Sequence, residues 1–317
     1  MMQNIEYILA HGSRNLFVMI DAVAQQIETQ QAGVFVREVC GRFKSDGVLF
    51  LEQTPEGLYA MNMYNTDGTQ AEMCGNGMRL VARFADERYL HTPQFTLMSG
   101  GRPYPIYRAE STIATLADGT KEAIPNYCVS INIRTSSEDF ALSHEEFVAE
   151  RIEELDPQLT FTYLNLGNPH IVAQVESIDL DHLSRLGERA KELIHIFPNG
   201  VNVSFMQPMG EQQIFVATYE RGVGLTASCG TAMTASSTTA ALVGVCRWGE
   251  SIEVRNRGGF VRCLCHRECG ELTTQLVGNA TYIERGEITY DDASHIDIDV
   301  EERFEREQEA WAQATAE

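Results

Sequence analysis

The sequence predicts a mixed α+β protein made of two similar halves, and three observations carry that expectation. Short apolar runs rich in β-branched and aromatic residues alternate with helical patterns along the chain. Two helix-starting segments share the pattern Cys-Gly-[Asn/Thr]-[Gly/Ala]-Met, at Cys74 and at Cys229. These cysteines stand 155 positions apart in a chain of 317 residues, about half its length, as a duplicated domain would place them.

The strand signals come at residues 16–20 (LFVMI), 48–51 (VLFL), 58–64 (LYAMNMY) and 127–133 (YCVSINI), bounded by Gly, Asp or Pro. A helical pattern covers residues 76–89, with Leu80, Val81, Phe84 and Ala85 on one face, and another covers 180–193. Residues 232–241 are almost all Ala, Ser and Thr without charge. A helix with small uncharged residues on every side is a buried one and suits the centre of a wrapped sheet. The polar stretch 123–126, with Pro125, marks the expected junction. It divides the chain into an N-terminal domain, 1–125, carrying Cys74, and a C-terminal domain, 126–283, carrying Cys229, with segment 284–317 packing back on the first. Residues 300–313 form an expected surface helix with Phe304 and Trp311.

Composition narrows the function classes. The net charge of -21 argues against nucleic acid and anionic membrane as partners and leaves a small molecule. No apolar run reaches the length of a membrane span, and the opening residues lack a signal-peptide pattern. Eight cysteines without an export signal read as reduced thiols, so the expected location is the cytoplasm.

A cysteine just before glycine at a helix start meets free backbone N–H groups and the positive end of the dipole. That position favours the thiolate and can also hold a carboxylate. Two such helix ends facing each other would put the α-carbon of a bound amino acid between two sulfurs. One thiolate removes the α-proton while the opposite thiol protonates the other face. The N–H groups stabilise the charge that grows on the carboxylate. Cys263, Cys265, His266 and Cys269 form C-x-C-H-x-x-C, but strand alternation supplies no second ligand pair, so no metal site is expected. Gly222 and Gly224 lack the rest of a dinucleotide fingerprint. Cys40, Cys128 and Cys246 fall in apolar patterns and are expected in the core.

Six ordered blocks resemble the diaminopimelate epimerase family, from about His11 to Gly286. They are His11-Gly12 with Asn15 and Phe17; Asn65-Thr-Asp67-Gly68 with Glu72-Met73-Cys74-Gly75-Asn76-Gly77; Gly167-Asn168-Pro169-His170; Asn202-Val203-Ser204-Phe205; Glu220-Arg221-Gly222; and Cys229-Gly230-Thr231. The resemblance implies two α/β domains related by pseudo-twofold symmetry, each a barrel-like sheet around a central helix, in a homodimer. It implies epimerisation of LL-2,6-diaminopimelate to the meso form for lysine and peptidoglycan synthesis, with no pyridoxal phosphate or other cofactor. Cys74 and Cys229 would be the acid–base pair, tuned by Glu220 and His170. Gly75, Asn76, Gly230 and Thr231 would hold the α-carboxylate end. Asn15, Asn65, Asn168, Asn202 and Arg221 would hold the far end, and Glu220 an ammonium. Each polar residue also has a plain structural reading. Asn65 beside Asp67-Gly68 suits a turn, Asn168 a loop, His170 the core, and Arg221 with Glu220 a surface pair.

The chain departs from the family pattern at Arg14 and Ala232, where glycine is usual, at Leu225, where an acidic residue is usual, and at Asn279, where proline is usual. Its tail is longer. Arg14 and Leu225 keep open a racemase of another amino acid, such as histidine, on the same scaffold. A third alternative is a non-catalytic redox sensor that closes a Cys74–Cys229 disulfide.

Overall fold

The computed structural model describes residues 3–30, 32–143, 145–290 and 296–316. Two compact units emerge, one formed by Met1–Val129 with Val277–Glu317 and the other by Ser130–Leu276.

In the N-terminal unit strand Gln3–Gly12 pairs antiparallel with Asn15–Asp21, which lies parallel to Gly47–Gln53. Two short helices, α1 (Ala22–Gln25) and α2 (Gly33–Phe43), make that parallel crossover. Gly47–Gln53 turns back antiparallel onto Tyr59–Asn65. A two-residue strand, Gln70–Ala71, then leads into helix α3 (Gly75–Ala85). Strand Gln94–Ser99 returns parallel to Tyr59–Asn65 and pairs antiparallel with Arg102–Thr115. Helix α3 packs against the first four long strands of this sheet.

The C-terminal unit repeats this order. Asp156–Asn165 pairs antiparallel with Pro169–Gln174, which lies parallel to Asn202–Gly210 after helix α4 (Leu180–Glu192). Then follow antiparallel Gln213–Glu220, the short strand Gly224–Thr226 and helix α5 (Gly230–Leu242). Strand Ser251–Asn256 lies parallel to Gln213–Glu220 and pairs antiparallel with Gly259–Glu268. The sheet strands surround α5, and every residue of it from Gly230 to Ala241 is buried. Each unit is thus a sheet wrapped around one central helix, in an α+β chain.

Three local expectations need correction. Residues 123–126 are not a break: Lys121–Ile133 is one continuous strand. Pro125 sits within it, opposite the register shift between Ala109 and Thr112, where the ladder is already interrupted and a missing N–H is tolerated. Helix α3 buries almost all of its circumference, Arg79 and Arg83 included, and passes into a π-helical turn at Asp86–Leu90. Residues 300–303 belong to strand Ile296–Arg303, paired with Thr281–Tyr290, and helix α6 spans Glu305–Ala316. Trp311 is buried rather than on the surface, 5.8 Å from the His11 ring. The sequence masked this because α6 docks only one narrow side, Ala310 and Trp311, beneath an otherwise polar helix.

Candidate active site

Cys74 occupies the position just before α3 in extended backbone, and its sulfur accepts the Gly77 N–H at 3.3 Å. Asn15 Oδ1 lies 3.9 Å from that sulfur and accepts from Asn76 Nδ2 at 3.2 Å. The other end of the Asn15 amide donates to Asp46 at 2.7 Å, and the same carboxylate oxygen receives the Leu16 N–H at 2.8 Å. Asp46 fixes the orientation of Asn15, and sequence reasoning missed it. It lies directly before Gly47, in the loop that starts the parallel strand, where an acidic residue carries no motif. Gly12 allows this packing: a Cβ there would come within 2.9 Å of Arg79 Nη2 and 3.1 Å of the Asn76 carbonyl.

Beneath this layer lies a buried polar cluster. Arg79 donates to the carbonyls of Gly75 (3.3 Å) and Asn279 (3.2 Å) and to the Ser13 hydroxyl (3.4 Å). Asn279 receives the Ser13 N–H at 2.8 Å and donates to the His11 carbonyl and to Thr281. A proline at position 279 would make none of these side-chain bonds, so this departure from the family pattern has a structural role. Asn65 closes its own turn, donating to Thr69 Oγ1 at 3.2 Å, while the Gly68 N–H returns to the Asn65 carbonyl.

In the C-terminal unit Cys229 holds the equivalent place before α5, in extended backbone and buried. Its sulfur lies 3.5 Å from Thr231 Oγ1. Asn168 Nδ2 donates to that hydroxyl at 3.3 Å, and His170 Nε2 lies 3.1 Å from both Thr231 Oγ1 and Asn168 Oδ1. The two units therefore repeat one contact. An asparagine at the first residue of a strand or just before it, Asn15 or Asn168, bonds the residue two places after the cysteine, Asn76 or Thr231. Glu220 accepts from Thr226 and lies beside the Cys229 thiol.

Burial, and then the Glu220 charge, raise the Cys229 thiol well above the usual cysteine range. This overturns the expectation that the helix start favours the thiolate there. Removing a thiolate from water costs more than one helix terminus returns. His170 is fully buried and lowered to about 3, by burial first and the Arg221 charge second, so it is neutral. Its Nδ1 has no hydrogen-bond partner among the described residues, and its Nε2 reaches toward Cys229 through the Thr231 hydroxyl.

Asn202 and Arg221 form a separate group. Asn202 donates to the Pro169 carbonyl at 3.1 Å and receives the Arg221 N–H at 3.0 Å, so both ends of its amide brace backbone. The exposed Arg221 donates through Nη1 to the Asn199 carbonyl at 2.6 Å. Leu225 is exposed on the short strand that follows. Gly75 and Gly230 are the buried first residues of their helices. Cys263 and Cys265 are buried in one strand face, and among the described residues no group of three or more His, Cys, Asp or Glu is arranged to hold a metal. Among the described residues no helix is long and apolar enough to cross a membrane.

Solved structures with the same fold include a PhzF-family phenazine biosynthesis protein from Bacillus anthracis (15% identity, TM-score 0.64, covering 90% of this chain and 99% of that one). A probable proline racemase from Agrobacterium radiobacter K84 aligns at 16% identity and TM-score 0.63, covering 98% of this chain and 99% of that one. Identity this low carries the fold alone. The fold, together with the two cysteine–glycine helix starts and the relatives below, defines an isomerase of the racemase and epimerase class.

The sequence signature described as Diaminopimelate epimerase matches residues 7–113 and 162–283. A Diaminopimelate epimerase from Clostridium acetobutylicum is 32% identical over 97% of this chain and 92% of that protein. One from Listeria monocytogenes is 31% identical over 92% of this chain and 90% of that protein. The chain belongs to the diaminopimelate epimerase family.

Proposed function

We propose that this protein interconverts LL- and meso-2,6-diaminopimelate through Cys74 and Cys229. The observation that carries the reading is the repeated site. In a chain of this family, each unit sets one cysteine at the start of its central helix, with an asparagine bonded two residues on. The N–H groups of the two helix starts bind the α-carboxylate. A thiolate removes the α-proton, and its electron pair delocalises onto the carboxylate, where the same N–H groups stabilise it. The opposite thiol gives its proton to the other face of the carbon, and the two sulfurs exchange roles for the reverse reaction. The high affinity of buried Cys229 for its proton supports its role as the resting acid.

Asn76, Gly75, Gly230 and Thr231 are assigned to the α-carboxylate end. Asn15, Asn65, Asn168 and Arg221 are assigned to the far end, and Glu220 to an ammonium group. Asn202 and His170 are assigned as positioning residues, because their polar contacts hold Pro169, Arg221, Asn168 and Thr231. No cofactor is required. The reading extends to a cytoplasmic homodimer that supplies lysine and peptidoglycan synthesis. Deuterium uptake from D₂O at the α-carbon of diaminopimelate, under reducing conditions, tests the reaction. Absence of uptake at high enzyme concentration removes it.

Arg14 and the exposed Leu225 favour a second reading, racemisation of another amino acid such as histidine. Chiral chromatography across L-amino acids separates the two. Turnover of histidine exceeding that of diaminopimelate would decide for the second.

A further inference from the structure

A carboxylate that no motif marks reaches two loops of the C-terminal unit. Asp139 lies between the two stretches that carry the family signature. The neighbouring Phe140 seats this segment: its ring stacks on Tyr163 at 4.4 Å and packs against Phe147 and Phe197 at 4.8 and 5.8 Å. The Ala141 N–H donates to the Ile196 carbonyl at 3.0 Å, and the Ser137 hydroxyl accepts the Asp139 N–H at 3.1 Å. The backbone on either side of Asp139 is therefore fixed.

The two carboxylate oxygens serve different loops. Oδ2 accepts from Asn165 Nδ2 at 3.2 Å, and Oδ1 accepts from Asn199 Nδ2. Asn165 pairs with Pro169 across the hairpin whose tip carries Asn168. Its backbone is bonded to Arg134, and its amide oxygen accepts the Gly167 N–H at 3.0 Å. With Nδ2 committed to Asp139, that oxygen stays on Gly167, one residue before the Asn168 that bonds Thr231 beside Cys229. On the other loop Asn199 offers its carbonyl to Arg221 Nη1 at 2.6 Å.

Both partners of Asp139 are amide N–H donors, so the junction needs a group that accepts at two oxygens and donates at neither. A carboxylate meets that need, whereas an amide would turn its own NH₂ toward one of the donors. Hydrogen bonds to a charged acceptor are also the stronger kind.

Resting on the diaminopimelate reading above, we infer that Asp139 is a positioning residue, which ties the Asn168 hairpin to the loop that holds Arg221 and so sets the spacing of two groups assigned to the substrate. It acts only through Asn165 and Asn199 and touches no reacting atom. Its loss lets the two loops shift independently, which weakens substrate binding while the cysteines keep their places.

Steady-state kinetics of Asp139→Ala and Asp139→Asn in the full chain test this. With diaminopimelate, Asp139→Ala should raise KM about tenfold, with kcat within about twofold and a melting temperature within a few degrees of wild type. Asp139→Asn should give a smaller rise, because its one acceptor oxygen serves one loop only. This isosteric variant also decides the matter should the alanine variant fail to fold. Phe140→Leu loosens the packing and keeps the carboxylate, so it should lower the melting temperature and leave KM unchanged. An unchanged KM in both Asp139 variants overturns the assignment, and so does an equal rise in Phe140→Leu. Either result leaves the reaction itself standing, whereas failure of the wild type to exchange the α-proton of diaminopimelate removes both.

Discussion

At Cys229 two electrostatic effects act in opposite directions. The start of α5 offers N–H groups and a positive dipole end, worth about 0.3–2 kcal/mol to a thiolate. Burial opposes the charged form, and the neighbouring Glu220 opposes it further. Burial wins, and the sulfur holds its proton. Cys74 lies in a less buried place, with its sulfur on the Gly77 N–H. A serine hydroxyl is a far weaker acid than a thiol and cannot serve as the base. Cys74→Ser and Cys229→Ser should therefore each lower kcat about 10³-fold. Chiral product analysis measures this, and melting temperatures within a few degrees of wild type would show the fold intact. Both cysteines were legible in the sequence because a cysteine–glycine pair at a helix start is a local pattern. Asp46 and Asn199 were not, since each is an isolated polar residue whose partner comes from a strand or loop distant in sequence.

At the scale of elements, the central helix of the C-terminal unit depends on small side chains. Ala235 is fully buried, and Thr238 shares a 2.8 Å hydrogen bond with Thr274 on the surrounding sheet. Ala235→Leu forces extra atoms into a closed space and should destabilise by about 1–3 kcal/mol in urea unfolding. The composition of residues 232–241 made this burial readable in advance. Helix α3 was less readable, because its arginines suggested a wet face. Arg83 is instead covered by α6, where Glu307 pairs with it, and by the ring of Tyr282 at 3.6 Å. Glu307 also receives the Tyr282 N–H at 2.9 Å. Glu307→Ala leaves a buried guanidinium short of its charge partner and should cost about 3 kcal/mol. Thermal unfolding reads that loss, and a change below about 0.5 kcal/mol would mean that α6 does not clamp α3.

For the whole molecule, acid sensitivity follows from two buried imidazoles. His11 is lowered to about 4, by burial first and then by Arg14 and Arg79, and His170 to about 3, by burial and Arg221. Below the ordinary value of 6.5 the unfolded chain takes up protons at these positions that the folded chain refuses. Stability therefore rises with pH through the window from about 4 to 6.5 and is lost as the pH falls through it. The melting temperature should drop between pH 7 and pH 5, and His170→Gln should flatten that dependence. An identical slope in the variant would contradict a neutral buried His170.

The sequence alone determined the α+β class, the repeated helix starts and the family, because these rest on local periodicity and on motifs in fixed order. The tertiary structure decided that Cys229 is a thiol, that Asn202 braces backbone, that Pro125 lies inside a strand, and that the tail adds a strand before its helix. Each of those outcomes depends on burial or on pairing between distant segments. Such terms are sums over neighbours that no short stretch of sequence contains.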